Sequence, residues 1–212
     1  HTIHLQSLAN NVCISVTNEI PELFPGLLRG FLQQYPGVPI AESPSRAMLR
    51  DSPEHKRDGF ILSYYPVQMQ WACSECIRKD PYILLVSRSH RLAQASEVSL
   101  AELRGDPLIA YSALPLPEKF EQYLSYPNYL MSDLTSLARL VSQNYGISVI
   151  PGSFWQQLQP ELLQIPAESM PVAISLSDSD AALQLYLSYP EKEEFSSVEK
   201  LFMDFCRQFF SE

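Results

Sequence analysis

The sequence has no run of roughly eighteen consecutive apolar residues, the length that reads as a membrane-crossing helix. It also lacks a basic start followed by an apolar stretch and a small-residue cleavage site. Neither a membrane span nor export is expected, and the chain is read as cytoplasmic. Positive charge is scarce as well: fifteen Lys and Arg stand against twenty-four Asp and Glu, a net charge of −9. Those cations are scattered, which disfavours a patch that binds the phosphate backbone of DNA. Four cysteines, Cys13, Cys73, Cys76 and Cys206, are too few and too dispersed for a disulfide framework and fit a reducing compartment. With seven glycines there is no glycine-rich phosphate loop, and G-x-S-x-G, H-E-x-x-H and a His-flanked carboxylate pair are missing too. No enzyme, metal or cofactor is expected.

What is there is alternation. Residues 11–17 (NVCISVT) read as a buried strand, and 25–35 as a helix whose Leu27, Leu28, Phe31 and Tyr35 share a face, with Pro25 suited to its first turn. Pro36 and Gly37 stop that helix before a strand at 38–42. A second helix is expected from Arg46 to about Asp58, then a strand at 60–63. This β-α-β-α-β order calls for a mostly parallel sheet flanked by helices. Strands at 68–76 and 82–87 follow, then a short helix at 100–103, a strand at 108–111, a helix at 117–124 and a strand at 129–131. Asp133 is placed to cap a helix carrying Leu134, Leu137, Ala138, Val141 and Tyr145 at helical steps, with Gly146 at its end and a strand at 147–150. A strand at 182–189 leads to Ser196-Ser197-Val198-Glu199, a capping-box signature opening the last helix. The chain is long enough for two α/β lobes, each with its own core.

Four segments then resemble the effector-binding domain of LysR-type transcriptional regulators, in order and over almost the whole length. They are FPGLLRGFLQQYPGV (24–38), RDGFILSY (57–64), SRSHRLAQASEVSLAELRGDPLI (87–109) and LARLVSQNYGISVIP (137–151). Departures are modest: Arg91 stands where the family has the proline of a histidine–proline pair, Asn144 replaces a glycine, and Gly59 follows Asp58 in place of an apolar residue. The resemblance implies an α/β fold of two Rossmann-like lobes joined by two crossing strands, similar to type II periplasmic-binding proteins. It implies lobe I from 1–79 plus 184–212, lobe II from 80–183, and a ligand cleft between the lobes. DNA contact would belong to a winged helix-turn-helix ahead of the first lobe, absent here. The fold is shared with solute-binding proteins of transporters, which makes that the alternative reading.

In open parallel sheets ligands sit beyond the carboxyl ends of strands. This selects Thr17, Asn18 and Glu19, then Ser43, Pro44 and Ser45, then Ser63, Tyr64 and Tyr65 from the first lobe. From the second come Tyr111, Ser112, Ser132, Asp133, Pro151 and Gly152. The set is rich in hydroxyls and poor in cations, apart from Arg46, and suits a small polar metabolite with a carboxylate held by backbone N–H groups. Glu19 and Asp133 leave an amine-bearing effector open. Ser153, after Pro151 and Gly152, reads as a helix cap and not a nucleophile. Cys73 and Cys76 have the spacing of a redox pair or half a zinc site, but they fall on a strand with no second pair or nearby histidines. Leu32 and Leu140 lie outside the core stripes of their helices. The resemblance implies a homodimer, tetrameric in the whole regulator, in which the helix carrying Leu28 and Leu32 meets the partner's helix carrying Leu137 and Leu140.

Overall fold

The structure, a computed structural model, describes residues 13–43, 59–68, 70, 72–114, 116–117, 120, 122–124, 127–162, 166–178, 182–192 and 194–211. Along the chain run β1 (Ile14–Asn18), α1 (Phe24–Gln34), β2 (Ile40–Ser43), β3 (Phe60–Ser63), β4 (Ala72–Val86) and β5 (Glu97–Val98). A 3₁₀ turn (Leu100–Leu103) leads to β6 (Ile109–Tyr111), β7 (Tyr129–Met131), α2 (Leu134–Ser142), β8 (Ser148–Pro151) and α3 (Gly152–Leu158). After further 3₁₀ turns come β9 (Val172–Leu176), β10 (Ala182–Pro190) and α4 (Ser197–Ser211). The chain divides into two compact units, one built from residues up to Lys79 and from Gln184 onward, the other from Asp80–Leu183. Strands β4 and β10 each contribute to both.

In the first unit the strand order is β2-β1-β3-β10-β4. β1 runs parallel to β2 and β3, and β10 runs antiparallel to β3. Leu27 and Phe31 on α1 are fully buried, and each such side chain contributes about 1.5–3 kcal/mol by leaving water. Phe31 meets α4 edge-on, its ring centroid 5.3 Å from Phe202 and 5.2 Å from Phe205. Gly30 permits that seam, since a Cβ there would stand 3.2 Å from the Phe205 ring. The capping box opening α4 is formed: Ser196 N–H donates to Glu199 Oε2 at 2.8 Å and Glu199 N–H to Ser196 Oγ at 3.2 Å.

The second unit is a mixed sheet. Residues Tyr82 to Val86 of β4 pair antiparallel with β8 and β9, β5 lies parallel to β9, and β6 and β7 form a separate parallel pair. Asp133 caps α2 through a 2.7 Å bond from Ser136 N–H to Oδ2. The helix stops earlier than its apolar spacing suggests, at Ser142, and the left-handed residue beyond it is Asn144 (φ 63°). Gly146 has another purpose: a Cβ there would lie 2.4 Å from the Pro107 carbonyl oxygen, which accepts the Ile147 N–H.

Other expectations are corrected. The separate strands at 68–76 and 82–87 are one strand, β4, passing through Pro81. Pro81 is tolerated on the β8 side because β8 ends at Pro151, the partner of Tyr82, so no ladder bond there requires its N–H. Strand β9 and helix α3 had no clear sequence signal. Of the helix expected at 117–124, residues 118, 119 and 121 lie outside the described residues; Phe120 is helical, its carbonyl accepts from Tyr123 and Leu124 N–H, and its ring is buried edge-on against Tyr82. The helix expected from Arg46 lies outside the described residues.

Candidate functional site

The first unit gathers polar side chains where its parallel strands end. Thr17 is the register partner of both Ser43 and Ile61. Partners in a parallel pair share a face and side chains alternate along a strand, so Thr17, Ser43 and Ser63 project from one face and Asn18 from the other. Thr17 is 5% exposed and Ser43 is half-buried. Among the described residues neither hydroxyl has a hydrogen-bond partner. Asn18 is engaged at both ends of its amide, donating to Glu42 Oε1 at 2.8 Å and accepting the Ile20 N–H at 2.9 Å. Glu19 donates its backbone N–H to the Leu62 carbonyl at 2.9 Å, which ties this turn to β3. The Ser63 hydroxyl donates to the Tyr65 carbonyl at 2.7 Å, and Tyr64 OH donates to Glu22 Oε2 at 3.1 Å. Ser45, with Pro44 and Arg46, lies outside the described residues.

In the second unit Tyr111 and Met131 are partners at the ends of β6 and β7, and Ser112 N–H donates to the Met131 carbonyl at 2.8 Å. This brings Tyr111, Ser112 and Ser132 to one end of the pair, with both serines exposed and the Tyr111 ring edge-on to Phe154 at 6.4 Å. The bonds from Ser136 hold the Asp133 carboxyl below the usual carboxylate range, so this group is committed to its helix. Pro151 is buried at the end of β8, where the chain turns into α3.

Ser153 is not a cap. It lies inside the first turn of α3 and donates its N–H to Asp80 Oδ1 at 3.2 Å and to Oδ2 at 3.4 Å, and its hydroxyl also donates to Asp80 Oδ2. Both residues are 5% exposed. Asp80 was missed because a charged stretch before a proline reads as a connection; its burial depends on a helix start seventy-three positions away.

Cys73 and Cys76 are exposed on β4. Three residues apart on a strand, their Cα atoms are about 10 Å apart, beyond the roughly 7 Å that a disulfide spans. Cys206 is buried in α4, and that burial pushes its thiol well above the ordinary range. Among the described residues no group of three or more His, Cys, Asp or Glu is arranged to hold a metal ion, and no helix is long and apolar enough to cross a membrane.

Of the residues expected at a dimer contact, Leu32 is exposed and Leu28 and Leu140 are half-buried, but Leu137 is completely buried. Leu137 therefore belongs to the core, and Leu140 is the outward residue of α2. The sequence reading overlooked Tyr129 and Leu130 of β7, which are 43% and 67% exposed.

Two α/β units that share β4 and β10 define the type II periplasmic-binding-like fold of regulator sensing domains. The family profile of the LysR substrate binding domain matches residues 6–211, and the chain belongs to that family. No curated protein matches it in sequence. Similar solved structures include HinK, a LysR family transcriptional regulator from Pseudomonas aeruginosa, at 19% identity over 99% of this chain and 75% of that one, TM-score 0.70. The BenM effector binding domain with its effector benzoate matches at 19% identity over 94% and 92%, TM-score 0.70. The effector binding domain of QuiR in complex with shikimate matches at 16% over 95% and 98%, TM-score 0.65. The chain is thus the effector-sensing part of a transcriptional regulator and not the solute-binding part of a transporter. Regulators of this family bind small-molecule effectors, oligomerise, and reach DNA through an N-terminal domain.

Proposed function

We propose that the chain senses a small polar carboxylate in the cytoplasm, without turning it over. The observation that carries this reading is the pair of adjacent hydroxyls on Thr17 and Ser43, at the carboxyl ends of parallel strands and engaged by no described residue. Hydroxyls and free backbone N–H groups are donors that suit a carboxylate. Acidic groups of the same unit are occupied, Glu42 by Asn18 and Glu22 by Tyr64, and in the second unit Asp133 is held by α2. The second unit, taken by itself, also ends a parallel strand pair in exposed hydroxyls, those of Ser112 and Ser132. Benzoate in BenM and shikimate in QuiR, both carboxylates, lend the class support. Occupancy acts by population shift, which requires the effector to bind one conformation more tightly than another. A thermal-shift series of aromatic and aliphatic carboxylates beside matched amines tests the proposal. A carboxylate at 100 times its Kd adds about 2.7 kcal/mol of apparent stability; a response to amines alone refutes it.

The same chain forms a homodimer, assembled into a tetramer in the whole regulator. Leu28 and Leu32 of α1 flank a shallow groove whose other wall is Val38 to Ile40, α2 carries the half-buried Leu140, and Leu130 of β7 is exposed. Exposed apolar groups on two helices with adjoining edge strands suit an isologous contact in which each face meets the other across a two-fold axis.

A further inference from the structure

We propose that Asp80 is a positioning residue for the turn from Pro151 to Ser153, fastening that turn to β4 so that strand and turn open as one piece. β4 and β8 pair antiparallel with Tyr82 opposite Pro151, Ile83 opposite Ile150, Leu84 opposite Val149 and Leu85 opposite Ser148. Continued one step, this register sets Pro81 opposite Gly152, and a second step sets Asp80 opposite Ser153. The backbone ladder does not extend that far. Pro81 and Pro151 have no N–H to give, and at Gly152 the chain leaves the sheet for α3.

In the register where the ladder fails, a side chain replaces it. The Asp80 carboxylate accepts the Ser153 N–H and the Ser153 hydroxyl, and both residues are 5% exposed. Among the described residues Asp80 has no cation for a partner. Breaking a buried contact of this kind is costly, because loosening the turn leaves the side-chain oxygens and two donors without partners. The N-cap of α3 is Pro151, which has no capping side chain, so this helix start depends on the bond from β4. The approach does not depend on a glycine at 152, since a Cβ there would stand 3.5 Å from the Pro81 carbonyl oxygen and 3.6 Å from Asp80 Oδ1, ordinary contact distances.

Asp80 is also the first residue of the second unit, directly after Lys79. A ligand that pulls or presses on the turn at Pro151 therefore acts on β4 where that strand begins its second half. This use in sensing rests on the reading of Pro151 as an effector loop; the fastening itself does not.

Amide hydrogen exchange on the whole chain without effector tests the fastening, so failure of the carboxylate screen leaves this result unaffected. In Asp80→Ala and Ser153→Ala, exchange should quicken at least tenfold both at 152–154 and at 82–84, while β1 and α4 keep their rates. Asp80→Asn, which retains an acceptor for the Ser153 N–H, should restore most of the protection at both places. Acceleration confined to 152–154 would make Asp80 an ordinary helix cap and overturn the proposal. Unchanged exchange at both segments would overturn it too. Ser153→Ala removes one hydroxyl and keeps the carboxylate, so the test stands even if Asp80→Ala does not fold.

Discussion

At the end of β1, Thr17 and Ser43 stand side by side with hydroxyls that bond to no described residue, whereas at the end of β8 Ser153 gives both its donors to a buried carboxylate. The residue types are nearly the same and the outcomes differ because of what each strand becomes. β1 passes into a turn closed by Asn18 and by the Glu19 N–H, which satisfy the local backbone and leave the neighbouring hydroxyls aside. β8 becomes a helix at once, and its start needs an acceptor that only β4 supplies. Hydroxyls at strand ends are therefore not equivalent candidates for ligand binding; the hydrogen bonds the backbone still lacks decide which are available.

The largest effect expected concerns assembly. Leu32→Asp or Leu140→Asp should convert the dimer to a folded monomer, since a charge would be buried unpaired at each symmetric contact, at a cost of several kcal/mol. Sedimentation velocity at tens of micromolar, with circular dichroism to check folding, reads the result. A wild-type chain that sediments as a monomer would count against the dimer.

The comparison of hydroxyls sharpens at Thr17 and Asn18. Asn18→Ala removes one buried and one partly buried bond and should lower apo stability by about 1–2 kcal/mol in urea denaturation. Thr17→Val keeps the buried shape and removes only a hydroxyl without a partner. It should leave apo stability within about 0.5 kcal/mol of wild type, while weakening effector binding by about 0.5–1.5 kcal/mol, the worth of one neutral hydrogen bond. A Thr17→Val chain that binds as tightly as wild type would remove Thr17 from the site.

How far the sequence reaches is visible in the same residues. Period-two and helical spacing locate β1, α1, β3, β7 and α4 to within a few positions, and the capping box at Ser196 is formed as written. Those signals are local. Asp80 and Ser153 meet only through the β4–β8 register, and which strand-end hydroxyls already have partners depends on contacts such as Asn18 with Glu42, across twenty-four positions. Leu137 and Leu140 differ by less than one helical turn, and only the packed unit decides that one is core and the other surface.

Ser148 carries the comparison into the core. It is fully buried in β8, opposite Leu85, and its Oγ has no hydrogen-bond partner among the described residues. Unlike Thr17 it lies at the amino end of its strand and is completely buried. Ser148→Ala removes that burial cost and should raise stability by up to about 1 kcal/mol. A clear loss of stability would mean that the hydroxyl is satisfied in solution.

The smallest effect tests the capping box by pH. Glu199 is partly buried, which by itself raises its pKa, but the Lys192 ammonium at 2.7 Å and the Ser196 donors reverse this and hold the carboxyl below its ordinary 4.5. A folded-state pKa below the unfolded one contributes stability that is fully present above the unfolded value and is lost as pH falls through the folded one. Wild type should therefore lose stability relative to Glu199→Gln as pH drops below about 5. Above that range wild type keeps its advantage, because glutamine retains an acceptor for the Ser196 N–H but gives up the ion pair with Lys192. Urea midpoints for the two chains, taken at steps from neutral pH downward, should converge on the acid side. Parallel midpoints throughout would mean that Glu199 acts through its shape alone and that its charge contributes nothing to opening α4.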